Sequence, residues 1–569
     1  MLVRSGDRPF LLRLLPAAAF LVLIGPVLAG LAGAALPALG YLPVLGGMHF
    51  SLGPFRDLFA TPGLARSCLI SLSAGLVTTA VSFVMVMAFV AGWRGTRAFR
   101  VLERLISPLL SVPHAAAAFG LAFLIAPSGY LARLVSPWLT GWERPPDLLI
   151  IHDNYALSMM AGLIAKEVPF LLLVTLAALP QVNAVRISQV TAVLGYGRMV
   201  GFARTILPPL YRQVRLPIFA VIAYSSSVVD VALILGPTTP PPLAVRIVEW
   251  QADPDLAMRF VAAAGAILQL GITIAALLVW WAAERTIVRI DSARVPSGWR
   301  GRNDGWARHA AALAAIVSAG AILAGIFILL VWSFAGFWRF PDLLPRTFGL
   351  TTWMRTFPAL AGAVGNAILI GFASSLCATI LALGALEYEA RVGKTPTIRA
   401  LVALYLPLLV PQIAFLFGLQ IVLTRFALDG TFAALVLVHL IFVFPYVLLS
   451  LADPWRSWDV RYARLGRALG HGADAIFWHV RLPMLIRPVL TAAAVGFAVS
   501  IGQYLPTLLI GAGRWPTITT EAVALASGGN RQIISATALL QALLPFIGFA
   551  LALVVPALVF RNRREMRAA

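Results

Sequence analysis

Cysteine is nearly absent: Cys68 and Cys377 are the only two, and both lie in apolar stretches. No disulfide framework and no thiolate metal site can be assembled from them. Lysine is equally scarce, with Lys166 and Lys394 alone, so the 44 basic residues are almost all arginine. Charge of either sign is low, at 12% of 569 residues, while 60% are hydrophobic and the mean hydropathy is +0.89. A soluble domain is about half apolar and a quarter charged. The composition therefore excludes a soluble enzyme, a disordered tail and a disulfide-rich secreted scaffold. The seven histidines show no metal-binding spacing, and no catalytic set stands out. The net charge of +21 suits nucleic acid, but on an apolar chain it more often marks cytoplasmic loops of a membrane protein.

What the chain has is apolar length. A membrane helix needs roughly 20 apolar residues. Twelve such runs occur, at 11–36, 67–92, 105–127, 155–180, 216–236, 259–283, 309–337, 361–388, 401–424, 433–453, 488–510 and 536–560. The first resembles a signal peptide, with Arg4, Arg8 and Arg13 near its start. It is long for that role and eleven runs follow, so it reads as a retained span. With the N-terminus inside, the inner segments carry 30 Arg and Lys against 9 Asp and Glu, and the outer ones 11 against 10. That asymmetry predicts both termini on the cytoplasmic side and makes nucleic-acid binding unnecessary. The expected fold is all-α and polytopic.

Two long inner loops, 181–215 and 454–487, share a skeleton. Gln189 opens the first, followed by Gly195 and Leu207-Pro208; Arg464 opens the second, followed by Gly470 and Leu482-Pro483. Gly195 and Gly470, and the two Leu-Pro pairs, stand at an offset of 275, which continues to Gly236 and Gly511. One six-helix unit is thus used twice in the same orientation, as halves 1–290 and 309–569 joined by a cytoplasmic linker at 291–308. Each glycine is expected to turn the chain between two short helices, and each proline to stop the second helix.

This loop resembles the Glu-Ala-Ala…Gly…Ile-x-Leu-Pro loop of permease subunits from binding-protein-dependent ABC importers. Gly195, Leu207 and Pro208 match it, as do Gly470, Leu482 and Pro483; Gln189 and Arg464 depart from it, standing where the family has an acid. The double layout is similar to the fused permeases of the ferric-iron and thiamine type. The resemblance implies a bacterial inner-membrane permease with no cofactor. Its partners would be a cytoplasmic ATPase in two copies, a periplasmic substrate-binding protein and membrane lipid. Hydrolysis would sit on the ATPase: Gly393-Lys394-Thr395 looks like the end of a P-loop, but Tyr388 stands where that motif needs glycine. The substrate would be a small cation such as thiamine or ferric iron, with anions still open. The rival is an ion-driven secondary transporter of six plus six helices. Loop 93–104 lacks the Gly-x-x-x-Asp-Arg-x-Gly pattern of the major facilitator class.

Ionisable groups inside spans are functional candidates because apolar surroundings penalise them. Lys166 and Glu167 in the fourth run either bond to neighbouring helices or line a path. Asp230 follows Ser225, Ser226 and Ser227 in the fifth run, and the 275 offset sets it beside Gln503 and Tyr504. The resemblance makes the fifth helix of each half line the translocation path. Ser226, Asp230, Gln503 and Tyr504 are accordingly candidates for it. Val112-Pro113-His114 and Val410-Pro411-Gln412 form a looser pair, where proline is expected to kink the third helix of each half.

Overall fold

The computed structural model describes residues 10–393 and 398–559, which leaves Arg4, Arg8, Lys394 and the arginines after 560 outside the described residues. Helix dominates, and among the described residues the only β pairings are isolated bridges. Among the described residues nine helices are long and apolar enough to cross a membrane, and two bent pairs raise the number to eleven. The expected fifth run is the exception: its helix, Leu207–Ser227, carries Arg212 and Arg215 and gives way to a separate helix, Asp230–Leu235.

Several spans are broken rather than continuous. The third consists of Arg97–Ile106, a tight turn and His114–Ile125. The ninth bends by 91° between Leu409 and Gln412. The eleventh comprises Ile486–Ile501 and Leu505–Gly511. Pro113 and Pro411 stand immediately before the restarted third and ninth helices. Proline has no amide to donate and fits the start of a helix better than its middle. The sixth helix, Met258–Arg294, outruns its expected end, and the seventh, Gly305–Phe334, begins early. Only 295–304 of the linker lies between them.

The two expected halves interlock. The first helix, Phe10–Ala38, packs on Gln412–Arg425 and on the eighth span, Thr351–Val392. Reciprocally, the seventh packs on His114–Ile125 and on the second span, Leu64–Trp93. Each exchange uses glycine to bring backbones together. A Cβ on Gly120 would stand 2.8 Å from the Gly325 carbonyl carbon, and the reverse distance is also 2.8 Å. A Cβ on Gly418 would collide with the Gly30 carbonyl oxygen. Between apolar helices in lipid, such contact supplies packing that hydrophobic burial cannot. At the face opposite the long loops, buried Arg133 donates to the carbonyls of Arg339 (2.8 Å) and Asp342 (2.9 Å), adding a polar tie between halves.

His152 and Asp153 are structural here. His152 Nδ1 lies 2.6 Å from the Gly236 carbonyl oxygen. Asp153 caps the fourth helix, Leu157–Ala178, accepting from the amides of Leu157 (2.8 Å) and Ser158 (2.9 Å). Burial opposes its charge, but these donors outweigh burial and hold the carboxyl below its usual range.

Gly120→Val and Gly418→Val should abolish monodisperse protein in detergent gel filtration, because backbone stands where the side chain must go. Gly271→Val, with open space at its Cβ, should elute as the unaltered protein does.

Candidate functional site: two repeated loops and a polar centre

Both repeated loops adopt the same local structure. Helix Ala184–Val193 ends at Gly195 (φ +78°), and helix Val460–Ala468 ends at Gly470 (φ +85°). The Gly195 amide donates to the Ala192 carbonyl and the Tyr196 amide to Thr191; Gly470 and His471 donate likewise to Arg467 and Gly466. This is the Schellman arrangement, which needs a left-handed residue at the glycine position. A single π-turn follows in each loop, Phe202–Ile206 and Phe477–Arg481. The Leu207 amide closes the first on Phe202, and the Leu482 amide closes the second on Phe477.

The prolines do not act as expected. The helix beginning at Arg198 continues through Pro208 into Leu207–Ser227. In the second loop the helix also passes Pro483 and bends by 73° only after Met484. The wider π-turn releases the carbonyl that a proline ring would strike four residues back, so proline is accommodated.

Beneath each turn the two short helices meet at equivalent positions of opposite bulk. Thr191 faces Gly201 in the first loop, whereas Gly466 faces Ile476 in the second. The outer face is apolar and exposed in both: Val185, Val190 and Leu194 correspond by the 275 offset to Val460, Leu465 and Leu469. Gln189 and Arg464 are also exposed there. Asp459 caps the second loop's first helix, and a charge-assisted bond from Arg461 (2.6 Å) holds its carboxyl below the usual range. Buried Arg481 anchors this loop to the bundle, donating to Glu387 (3.0 Å) and to the Trp455 carbonyl (2.9 Å). Arg391 bridges Glu387 (2.8 Å) to Asp474 (2.8 Å). None of the anchoring residues stood out in the sequence, because Glu387 and Arg391 sit on the eighth span, far along the chain from Arg481 and Asp474 in the loop.

The polar candidates sort into two groups. Lys166 turns its ammonium onto the carbonyls of Leu109 (3.0 Å), Leu110 (3.4 Å) and Val112 (2.5 Å), where the third span is broken. Ser226 faces neighbouring helices, bonding Thr273 at 3.0 Å. Glu167 lies instead 3.6 Å from His114 Nε2. The His114 ring lies 4.9 Å from that of Tyr224, tilted by 53°, and Asp230 is within electrostatic reach of His114, Tyr224 and Tyr504. Glu167 and Asp230 are buried, and Tyr504 and Gln503 are half-buried. His114, Asp230 and Tyr504 each stand at a break, in the third, fifth and eleventh spans. The centre thus joins both halves.

Four further polar residues support these breaks. Gln269 Nε2 donates to the Ser226 carbonyl (3.0 Å) below the fifth-span break. In the second half, Thr519 donates to the Ile501 carbonyl and is itself held by Gln541 (2.9 Å). His439 spans the eleventh-span break, 2.7 Å from Ser500 and 3.0 Å from Thr507. The glutamine in the sixth helix of each half was the available sequence signal for them.

Comparison with known proteins follows the same lines. A family model described as the inner-membrane component of binding-protein-dependent transport systems matches residues 391–562. The inner membrane ABC transporter permease protein YnjC of Escherichia coli is 32% identical over 527 residues, covering 91% of this chain and 93% of YnjC. The putative 2-aminoethylphosphonate transport system permease protein PhnV of Salmonella typhimurium is 23% identical over 239 residues, 40% of this chain and 87% of PhnV. The molybdenum transport system permease protein ModB of Mycobacterium tuberculosis is 26% identical over 178 residues, 30% of this chain and 67% of ModB.

Lys166→Met would strand carbonyls that a charged donor now satisfies, a loss of about 1.5–3 kcal/mol. Its melting temperature in detergent should fall by several degrees. Glu167→Gln, which keeps the shape, should melt as the unaltered protein does.

Proposed function

The chain belongs to the inner-membrane permease components of binding-protein-dependent ABC transport systems, and from that premise we propose that it is a fused importer permease whose two loops dock a separate ATPase. The observation that carries this reading is the pair of loops. Each combines a Schellman turn, a π-turn and exposed apolar side chains at matching positions. One such hairpin is an ordinary interfacial element; two alike on one chain suit a partner present in two copies. The 275-residue repeat, and the alignment of most of PhnV to 40% of this chain, support two permease units in one polypeptide. In this reading both termini and both loops are cytoplasmic, and a periplasmic binding protein delivers substrate to the opposite face.

The path would run through the polar centre. Alternating access would rock the halves about it, transmitted from the second loop by Arg481, Glu387 and Arg391. Gly195→Val and Gly470→Val force a β-branched residue into the left-handed region, at a cost of about 1–2 kcal/mol or more. Both variants should insert in the membrane yet lose co-purification with the ATPase and substrate-stimulated hydrolysis. Unchanged values of both in the two variants would sink the docking assignment.

The substrate reading is a small cation, of the thiamine or ferric-iron kind. Glu167 and Asp230 lie at the centre, while the Lys166 ammonium is bonded to carbonyls at the third-span break. An acid at ~4 Å favours a cation by about 1 kcal/mol in water and more as the dielectric falls. Asp230→Asn keeps the shape and removes the charge. ATP-dependent uptake in vesicles should drop at least severalfold while ATPase binding is retained. Normal uptake by this variant, or an anionic natural substrate, would end the charge argument and leave the permease assignment intact.

A further inference from the structure

The two loops share a backbone but not a charge pattern. The second loop's exposed helix carries Arg461, Arg464 and Arg467 around its apolar face. The first loop's helix, Ala184–Val193, has Arg186 alone. The linker changes this balance. Its segment 295–304 folds back over the Gly195 turn instead of running free between the halves. The Gly197 amide donates to the Arg300 carbonyl (2.9 Å), and Arg302 Nε donates to the Gly195 carbonyl (3.2 Å). Asp304 accepts from the Met199 amide at 2.9 Å, capping the helix that enters the membrane. Arg204, from the loop, donates to the Trp299 carbonyl at 3.0 Å. The clasp sets two guanidinium groups over the turn: a Cβ on Gly195 would stand 3.1 Å from Arg300 Nη1 and 3.0 Å from Arg302 Nη2. Both arginines are exposed, as are neighbouring Val190, Val193 and Leu194.

We infer that the linker is part of the first docking surface, supplying it with the arginines that the second loop carries in its own helix. This rests on the proposed docking of an ATPase at both loops. An ATPase present as two identical copies offers the same cleft twice, so the permease must present two similar surfaces from different sequences. With the linker in place, each surface is an apolar knob edged by guanidinium groups. The partner it fits is an ATPase subunit whose cleft has an apolar floor and an acidic rim. Complementary charge at such a rim acts on association and makes it salt-dependent. Asp304 contributes differently, as a positioning residue that holds the loop for docking.

The test uses the full-length permease co-expressed with the ATPase subunit that restores hydrolysis to it, measured as affinity across a salt titration. Arg300→Glu combined with Arg302→Glu should weaken binding by about tenfold at low salt. Arg464→Glu with Arg467→Glu should do the same. Lysine at 300 and 302 should retain affinity. Glutamine at both positions should flatten the salt dependence, whereas Asp304→Ala should lower affinity without flattening it. The inference is overturned if the 300/302 charge reversal binds as the unaltered protein does while the 464/467 reversal does not. It is equally overturned if the glutamine variant weakens binding with its salt dependence intact, which would assign these arginines to loop folding alone. If the unaltered permease binds no ATPase at all, the docking reading falls, and this inference with it.

Discussion

Every broken span poses one requirement: carbonyls freed inside an apolar layer must find donors. Water cannot supply them there, and an unpaired group costs several kcal/mol. At the third, fifth and eleventh breaks the bundle meets this with side chains from neighbouring helices. Lys166 serves the third-span break, Gln269 the fifth, and Thr519 with Gln541 the eleventh. His439 adds a bridge across the eleventh. These bonds let the chain interrupt its helices where it brings His114, Glu167, Asp230 and Tyr504 near one another.

The two halves meet shared demands with different residues. The short helices of each loop need one small and one large residue at their contact, and the halves place them in opposite order at Thr191–Gly201 and Gly466–Ile476. The first loop is held from outside by the linker, whereas the second is tied inward through Arg481 to Glu387. The two loops share backbone geometry more closely than side-chain identity, because turn and π-turn depend on few positions. Buried partners can be replaced wherever another helix lies close.

The glycine contacts between exchanged helices make the halves one body. With the first helix seated on the second half and the seventh on the first, neither half encloses its own core. Displacement of either loop therefore acts on both halves.

Much of this architecture follows from sequence alone, for identifiable reasons. Span positions are legible because apolar length is a property of contiguous residues, and the loop turns because left-handed backbone selects glycine at 195 and 470. The repeat exposed equivalent loops by spacing. Sequence misjudged Pro208, since whether a helix stops or widens at proline depends on room for the displaced carbonyl. It also left Lys166 and Glu167 undivided. They are adjacent in the chain, but about 100° of helical rotation separates them, and only packing determines that one meets the third-span carbonyls and the other His114. The same holds for Ser226, directed to Thr273, and for Arg300 and Arg302, more than a hundred residues from the turn they cover. Local pattern specified which segments cross and turn; contacts between distant segments decided which polar groups support the bundle and which meet at its centre.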